Sequence, residues 1–588
     1  EITKMLYYWT RKPLIVGRAV ALASTLDNIE DVKSLLHLGR DKRAYTYAPD
    51  VSVYKKKLGV DPSEIKVLDP FGGAGNLIYP SLQLGLNIST SDYNPIAYLI
   101  QKATLEIPAK YGPKLAEDFE KYANESIELT KKEISRFFRP ECLTYLWLWC
   151  IKCVHCEQRI PLTNQMWIAV KKKIGIRFHV TKDKNFTTEL VENMTADEGK
   201  QYTQKGGKAI CISCKNTVDY DGITNDIATR KDREMIAIQI QKNRSRDYIL
   251  PTNNDKELYK NAVEYFKLKR QEFERENFIP KQEIPFEPRN PVQNYGIKVY
   301  EDFFNERQLL VILTFLKNIT NSISILEEHK PLMVYLSFLL CRHIFMTGYA
   351  TIWNSSGEKI QHVFTLRHPK LVFNNAEINP FEKVAGSLPN MTKNILSAIK
   401  FNSDQNKSAT CRLESVTNDV TRKFDMIITD PPYGDDVQYG EMSEFYYVWI
   451  HRVLKNYYPE LPEKISLDED FCESWGRFGN KKLASEFFEK GLKKSFVSIN
   501  EKLKDDGLFI VFFAHSSIRA WNIFLESIRM GKFHVKASYA IHTENEGNVI
   551  TKGKTSFMSS IIVVCRKLTE EKTAYFEDII PQTEDNVK

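Results

Sequence analysis

The sequence predicts an α/β protein, a Rossmann-like, doubly wound parallel sheet interrupted by a large insertion. Three observations carry this expectation. "IKVLDPFGGAGNLIYPSLQLG" runs from an apolar strand through a glycine turn into a helix, and "LNISTSDYNPIAYLIQKATLEIP" repeats the pattern with an acid closing the strand. Residues 1–112 therefore end in two consecutive β-α units. From residue 113 to 400 that rhythm is lost, and two C-x-x-C pairs stand in the gap. Beyond it, "SATCRLESV", "FDMIITDPPY" and "GLFIVFFAHSS" restore strands of sheet-core character.

The elements follow in order. "YYWTRKPLIVGRAVALAST" is expected to be helical from Pro13, where proline suits a first turn. The insertion opens with the charged helix "EDFEKYANESIELTKKEISRFF" and continues through the cysteine pairs to a second charged helix, "DKELYKNAVEYFKLKRQEFEREN". A proline-rich connector leads to two apolar helices, "ERQLLVILTFLKNITNSISIL" and "LMVYLSFLLCRHIFMTGYATIW". After the sheet resumes, "KKLASEFFEKGLKKSFVSINEKL" is a long helix, and "KFHVKASYAIH" with "SFMSSIIVVCRKL" forms a terminal antiparallel pair. The expected division is 1–112 and 401–588 for the two parts of the sheet domain, 113–235 for a cysteine-bearing module, and 236–400 for a helical insertion.

With 588 residues, 43% of them hydrophobic, the chain has ample core for several domains. The excess of 82 basic over 75 acidic residues, +7, is too small to establish a polyanionic partner by itself. Two basic stretches, "VKKKIGIRFHVTKDK" and "ATRKDREMIAIQIQKNRSR", interleave with apolar residues as a phosphate-tracking surface would, or as solvated faces of ordinary strands and helices would. The longest apolar run is broken by Arg342 and His343, so a cytoplasmic protein without membrane spans is expected. Starting at Glu1 rather than a methionine, the sequence is read as lacking its true start.

Two motifs carry chemistry. In "DPFGGAG", Gly72, Gly73 and Gly75 lie between strand and helix, where a ligand can approach the backbone. The spacing is not that of a dinucleotide fingerprint, and no Gly-Lys-Ser/Thr follows, which disfavours hydride and phosphoryl transfer. Asp92 closes the next strand, where a carboxylate can accept both hydroxyls of a ribose. A nucleoside without a pyrophosphate fits that set. In "ITDPPYG", two prolines stop the strand and leave Asp430 at the same sheet edge as Asp69 and Asp92. A carboxylate beside a proline-fixed carbonyl offers two acceptors to the two hydrogens of an exocyclic amine, and Tyr433 offers a face to the base. Such a clamp aims the amine at an electrophile, the sulfonium methyl of S-adenosylmethionine along the glycine turn. A base in a duplex must be flipped out to reach it. The aromatic segment after the motif is expected to be a functional loop bearing Tyr439, then a helix over 441–452 burying Phe445, Tyr446 and Trp449. His515, after its strand, is read first as a packing or hydrogen-bonding residue.

"DPFGGAG" together with "DPPY" resembles the cofactor and catalytic motifs of class I S-adenosylmethionine-dependent amino-methyltransferases acting on adenine N6 or cytosine N4. With "YYWTRKPLIVGRA", "SDYNPIA", "NYGIKVYEDFFNERQLL" and "TDPPYGDDVQYGEMSEFYYVWI", the chain resembles the adenine-specific DNA methylases that contain a zinc ribbon, a prokaryotic group. The resemblance implies Asp430, Pro431, Pro432 and Tyr433 as the catalytic set. It implies Asp69, Phe71, Gly72, Gly73 and Gly75 at the methionine end of the cofactor, Asp92 with Asn94 at the ribose, and Arg11 in a covering N-terminal segment. For the cofactor adenine, "LESVTNDV" offers Ser415 by position, or Glu414 or Asp419 by chemistry. The resemblance further implies DNA as partner, target recognition by the insertion, and a restriction or antiviral defence role beside helicase or nuclease subunits encoded elsewhere. Cytosine-N4 DNA methylation, guanine-N2 RNA methylation and a weakly active DNA-binding scaffold are the alternatives.

"CVHC" and "CISC" place Cys153, Cys156, Cys211 and Cys214 as two knuckles able to surround a structural zinc. Cys150 and His155 are possible substitute ligands. An iron-sulfur cluster also suits four cysteines, but nothing else in the chain suggests redox work.

Overall fold

The computed structural model describes residues 4–37, 49–243, 245–288, 291–365, 368–403, 407–419, 421–434, 437–542, 559–570 and 577. A seven-stranded sheet organises them. Its strands in chain order are β1 (Lys66–Asp69), β2 (Asn87–Asp92), β3 (Thr410–Leu413), β4 (Phe424–Thr429), β5 (Leu503–Phe513), β6 (Phe533–His542) and β7 (Ser559–Lys567). Across the sheet they run β3-β2-β1-β4-β5-β7-β6. The first five pair in parallel, with Val67 opposite Met426 and Leu68 opposite Ile427 where β1 meets β4. β7 is antiparallel to both β5 and β6. The chain is thus mixed α/β with a mostly parallel sheet, compatible with a Rossmann-like fold. It departs from the six-stranded order 3-2-1-4-5-6 by one reversed strand wedged between the fifth and sixth.

Parallel strands need cover on both faces, and their sequences show it. Val67, Ile88, Ile510 and Phe512 share a core with the insertion helices Lys114–Ile134, Glu306–Asn321 and Lys330–Ile344, and with Tyr439–Leu454. On the other face, Phe488, Phe496 and Phe524 of helices Lys481–Lys502 and Ile518–Met530 pack on Ile427, Phe509 and Val511. The helix expected over 441–452 extends two residues further at each end. Asp435, Asp436 and the first residues of "SFMSSIIVVCRKL" lie outside the described residues.

The insertion leaves the sheet after β2 and returns at β3. It builds an antiparallel sheet of its own, ordered Ser245–Ile249, Arg233–Lys242, Cys142–Lys152, Asn374–Ile378. The expected boundary at 235 falls inside Arg233–Lys242, so residues on both sides of it form one sheet. A fully buried ion pair ties that sheet to a helix: Arg307 Nε donates to Glu377 Oε1 at 2.7 Å, while Asn305 and Trp147 donate to Oε2 at 3.0 Å. Arg233 lies over Trp147 and Tyr349, 4.7 Å from each ring centre, and Arg230 pairs with Asp226 and Asp232. Two arginines of the second basic stretch are therefore spent inside the insertion. On the first stretch, Arg177 pairs with Glu189 and Glu198.

Ahead of helix Leu14–Ala23 the N-terminal segment is non-helical, and alternate side chains face different neighbours. Tyr7 stacks on Phe345 with centroids 5.0 Å apart, and Trp9 meets Phe364 edge-on at 5.4 Å. Tyr8 and Thr10, with Arg11 and Lys12 after them, instead border a cleft at the carboxyl ends of the parallel strands. No helix among the described residues is long and apolar enough to cross a membrane.

Candidate functional site

That cleft opens where the strand order reverses, between β1 and β4, the place at which open α/β sheets hold ligands. Asp69, Phe71, Gly72, Gly73, Asp92, Asp430, Pro432 and Arg11 all line it. Two motifs about 360 residues apart in sequence therefore share one cavity.

The glycine turn is built by hydrogen bonds from below. Asp92 Oδ2 accepts the Gly73 N–H at 2.9 Å, and Gln101 Nε2 donates to the Gly73 carbonyl at 2.9 Å. Gly73 and Gly75 take φ of +48° and +78°, the left-handed region that favours glycine. Gly72 is needed for a different reason: a Cβ there would stand 2.2 Å from Thr90 Oγ1 and 2.6 Å from Gln101 Nε2. Gly75 shapes the turn rather than lining the cleft, its N–H closing on the Gly72 carbonyl at 2.7 Å. Asn94 is fully buried as the N-cap of helix Pro95–Gln101, and its Nδ2 donates to Ser443 at 2.7 Å; it stands behind the cleft.

Asp69, Asp92, Asp430 and Asp470 share the cleft with Glu469. Asp69 accepts from Thr429 Oγ1 at 2.7 Å and from the Phe71 N–H at 3.2 Å, yet burial, with Asp430 and Asp92 nearby, pushes it up to about 7. Burial pushes Asp92 up to about 7 as well, with Asp470 adding repulsion. Asp430 is raised by burial and drawn back by Lys12 and Tyr433. Asp470 is raised by burial and by Glu441, against the pull of Arg477. A cavity whose aspartates are held above their ordinary range chiefly by desolvation, with neighbouring carboxylates adding repulsion at Asp69, Asp92 and Asp470, is suited to a cationic ligand.

The residues expected to form the clamp hydrogen-bond to one another. The Tyr433 hydroxyl donates to Asp430 Oδ1, and its ring packs edge-on against Phe513 at 5.4 Å. Lys12 Nζ donates to the Tyr433 oxygen at 2.7 Å and lies 3.5 Å from Asp430 Oδ2. Pro431 is buried behind Asp430, with Pro432 at the cleft. Tyr439 opens its helix, exchanges a hydrogen bond with Thr10 at 3.1 Å and lines the cleft. His515 accepts the Ser517 N–H at Nδ1, 2.9 Å, the bonding role expected for it.

Sequence reasoning missed several lining residues: Lys12, Tyr8, Tyr93, Glu469 and Asp470. Lys12 could have been found only by its place beside Arg11. Glu469 and Asp470 lie in "SLDEDF", an acidic run in an irregular segment with no periodicity to flag it. Ser415 does not line the cleft; it donates to Glu469, which does. Glu414 lies 3.8 Å from Arg412. Burial pulls Arg11 down to about 10, and its Nε has no hydrogen-bond partner.

The second site is the cysteine cluster. Cys153, Cys156, Cys211 and Cys214 bring their sulfurs within 4.8 Å of one another, with Cys153 to Cys214 at 3.7 Å and Cys156 to Cys211 at 3.6 Å. A tetrahedral zinc with bonds of about 2.3 Å requires sulfurs about 3.8 Å apart. The two knuckles match. In each, the first cysteine N–H bonds the carbonyl five residues on, Gln158 or Asn216, and a left-handed residue follows the second cysteine, Glu157 at φ 63° or Lys215 at φ 64°. Burial pushes Cys211 up to about 12, whereas the Asn216 N–H pulls Cys214 down to about 7. Cys150 and His155 stand outside the cluster. Four thiolates can hold a metal such as zinc and leave no open coordination position, so the site is structural in character.

No protein-family model, curated protein or solved structure matches the chain.

Proposed function

We propose that the chain is a class I S-adenosylmethionine-dependent methyltransferase that methylates the N6 amine of a flipped adenine in DNA. The observation that carries the reading is the placement of Asp430 and Pro432, directly after β4, in the same cleft as the glycine turn and Asp92, with Tyr433 hydrogen-bonded to Asp430. The reversed β7 between β5 and β6 agrees with the methyltransferase variant of the doubly wound sheet. The donor set fits the cofactor: S-adenosylmethionine supplies a methyl group on a positively charged sulfur, and the cleft supplies carboxylates. Asp92 holds both oxygens toward backbone N–H groups and keeps a lone pair on each for ribose hydroxyls. Asp430 accepts a hydrogen from the target amine and holds its lone pair on the line of transfer. Lys12 keeps Asp430 ionised until the base displaces it, and Tyr433 then turns its ring to the base. Pro431 and Pro432 fix the backbone so that neither acceptor needs to reorganise.

The resemblance also supports a restriction or antiviral defence role with helicase or nuclease partners, and a cytoplasmic location. The zinc-bearing insertion is the part proposed to read DNA.

The test is transfer of labelled methyl from S-adenosylmethionine to mixed-sequence duplex DNA, with nucleoside analysis and Asp430→Ala as control. N6-methyladenine that vanishes in the control is the expected result. N4-methylcytosine, or N2-methylguanine with RNA, would replace the substrate and keep the clamp. Tight cofactor binding with no transfer to any nucleic acid would leave the scaffold reading.

A further inference from the structure

A primary amine of the chain itself reaches the cleft. Among the described residues that line it, Lys12 is the single lysine, and the neighbouring Arg11 is tied to the Leu6 carbonyl. The stem of Lys12 is fixed at both ends. Pro13 follows directly and opens helix Leu14–Ala23, which holds the Lys12 backbone in extended conformations. At the tip, Nζ is gripped by the ends of three strands. It donates to the Tyr433 oxygen beyond β4 at 2.7 Å and to Ser560 Oγ of β7 at 3.2 Å, and it lies 3.5 Å from Asp430 Oδ2. The ring centres of Tyr433 and of Phe512 on β5 are 5.1 and 5.6 Å away.

These are the features that the clamp is proposed to offer a nucleobase: a carboxylate for the amine hydrogens and an aromatic face beside them. Lys12 Nζ has three donors to meet them. A chain amine therefore stands where the target amine is proposed to be held.

Resting on the cofactor reading above, we propose that the clamp also acts on its own chain, transferring a methyl group from S-adenosylmethionine to Lys12 Nζ. The ammonium first gives up a proton to solvent. Its freed lone pair then forms an N–C bond to the sulfonium methyl, the electrons of the broken C–S bond stay on sulfur, and S-adenosylhomocysteine leaves. The product is the Nε-methylammonium, with one proton released overall; it keeps its charge and loses one hydrogen-bond donor. Acceptor and clamp belong to the same chain, so the transfer is intramolecular, and a base entering the clamp competes with it.

The experiment incubates the full chain with S-adenosylmethionine carrying an isotopically heavy methyl, without nucleic acid, and locates methyl groups by peptide mass spectrometry. Light methyl on Lys12 is counted too, because it reports transfer in the producing cell. Calorimetry of S-adenosylhomocysteine and a melting curve verify that each form is folded and binds. The wild type should carry methyl at Lys12, gained at a rate constant that is unchanged over about a 10-fold range of chain concentration. Lys12→Arg, which keeps a cation beside Asp430, should carry none there, and Asp430→Ala should slow the transfer on the order of 100-fold. A Lys12 free of heavy and light methyl in a chain that binds S-adenosylhomocysteine overturns this inference and leaves the cofactor reading intact. Methyl that reaches Lys12 of Asp430→Ala at the wild-type rate overturns it as well. A wild-type chain that does not bind S-adenosylhomocysteine overturns the cofactor reading, and this inference with it.

Discussion

If the proposed cofactor binds as described, its affinity should rise steeply with pH through neutrality, because Asp92, the carboxylate proposed to hold the ribose, is pushed up to about 7 by burial. Asp92 is held at about 7 by burial, and it is faced by Asp470, whose charge works in the same direction. Asp69, also at about 7, is faced by Asp430 and Asp92. If one of these groups must be ionised to bind, the dissociation constant scales with the reciprocal of its ionised fraction and falls about 8-fold between pH 6 and 7.5. If both must be, it falls about 70-fold, or roughly 2.5 kcal/mol. Calorimetry of S-adenosylhomocysteine across this range, in two buffers of different ionisation enthalpy, reads both the affinity and the protons released. Asp92→Asn should remove at least one group's share of the slope. A dissociation constant flat within about 2-fold, with no proton release, would refute the reasoning. The same shifts fix the sign for the ligand-free chain: carboxyls raised in the folded state contribute stability that is full below their unfolded value and is lost as pH rises through about 7. The melting temperature without ligand should therefore fall from pH 5.5 to 8, and saturating ligand should flatten that fall.

Four other outcomes are expected. Lys12→Met removes the cation that draws Asp430 down, so the acid limb of the pH–rate profile should move to higher pH; an unmoved limb would exclude Lys12 from the clamp. Gly72→Ala drives a Cβ into Thr90 and Gln101 and should cost about 1–3 kcal/mol by denaturant unfolding. Glu377→Ala leaves Arg307 buried without its partner and should cost about 3–5 kcal/mol, read in the same assay. A chelator should strip one zinc per chain, free four thiols and alter Trp149 fluorescence, since Trp149, Ile160 and Val218 pack with Cys153 and Cys211; metal analysis without zinc would count against the site.

How much of this was legible depended on distance along the chain. The glycine turn, Asp92 and Asp430 obey local grammar, in which a strand, a breaker and a helix follow within a dozen residues, so the sequence pointed to each. The paired cysteines were legible for the same reason, because each knuckle is four residues long. The grip of Lys12 on Asp430 joins residues far apart in the chain, and no period or spacing links them. Glu469 and Asp470 sit in an aperiodic segment whose position is set by Arg477 and Gly440 rather than by its own pattern. Gly72 was read as a ligand approach, whereas Thr90 and Gln101 exclude its side chain. Arg230 and Arg233 of the second basic stretch were consistent with a phosphate surface, but Arg233 stacks on Trp147 and Tyr349 and Arg230 pairs with Asp226 and Asp232. Composition reports how many charges there are, and packing decides which remain outward.

The pairing of β1 with β4 also sets a timetable. Their partners lie about 360 residues apart, so β1 and β2 leave the ribosome long before the strand that completes their sheet. At 5–20 residues per second that interval is roughly 20–70 s. During it, the insertion can fold around its own sheet and bind its metal, while the unpaired edge of β1 waits beside it. The cleft is consequently among the last parts of the molecule to exist, and a nascent chain stalled before Asp430 would carry the insertion's own sheet and cysteine cluster but no place for a nucleoside. A truncation series ending between the insertion and β4 should show zinc binding without cofactor binding, which separates the two halves of the molecule in time as well as in role.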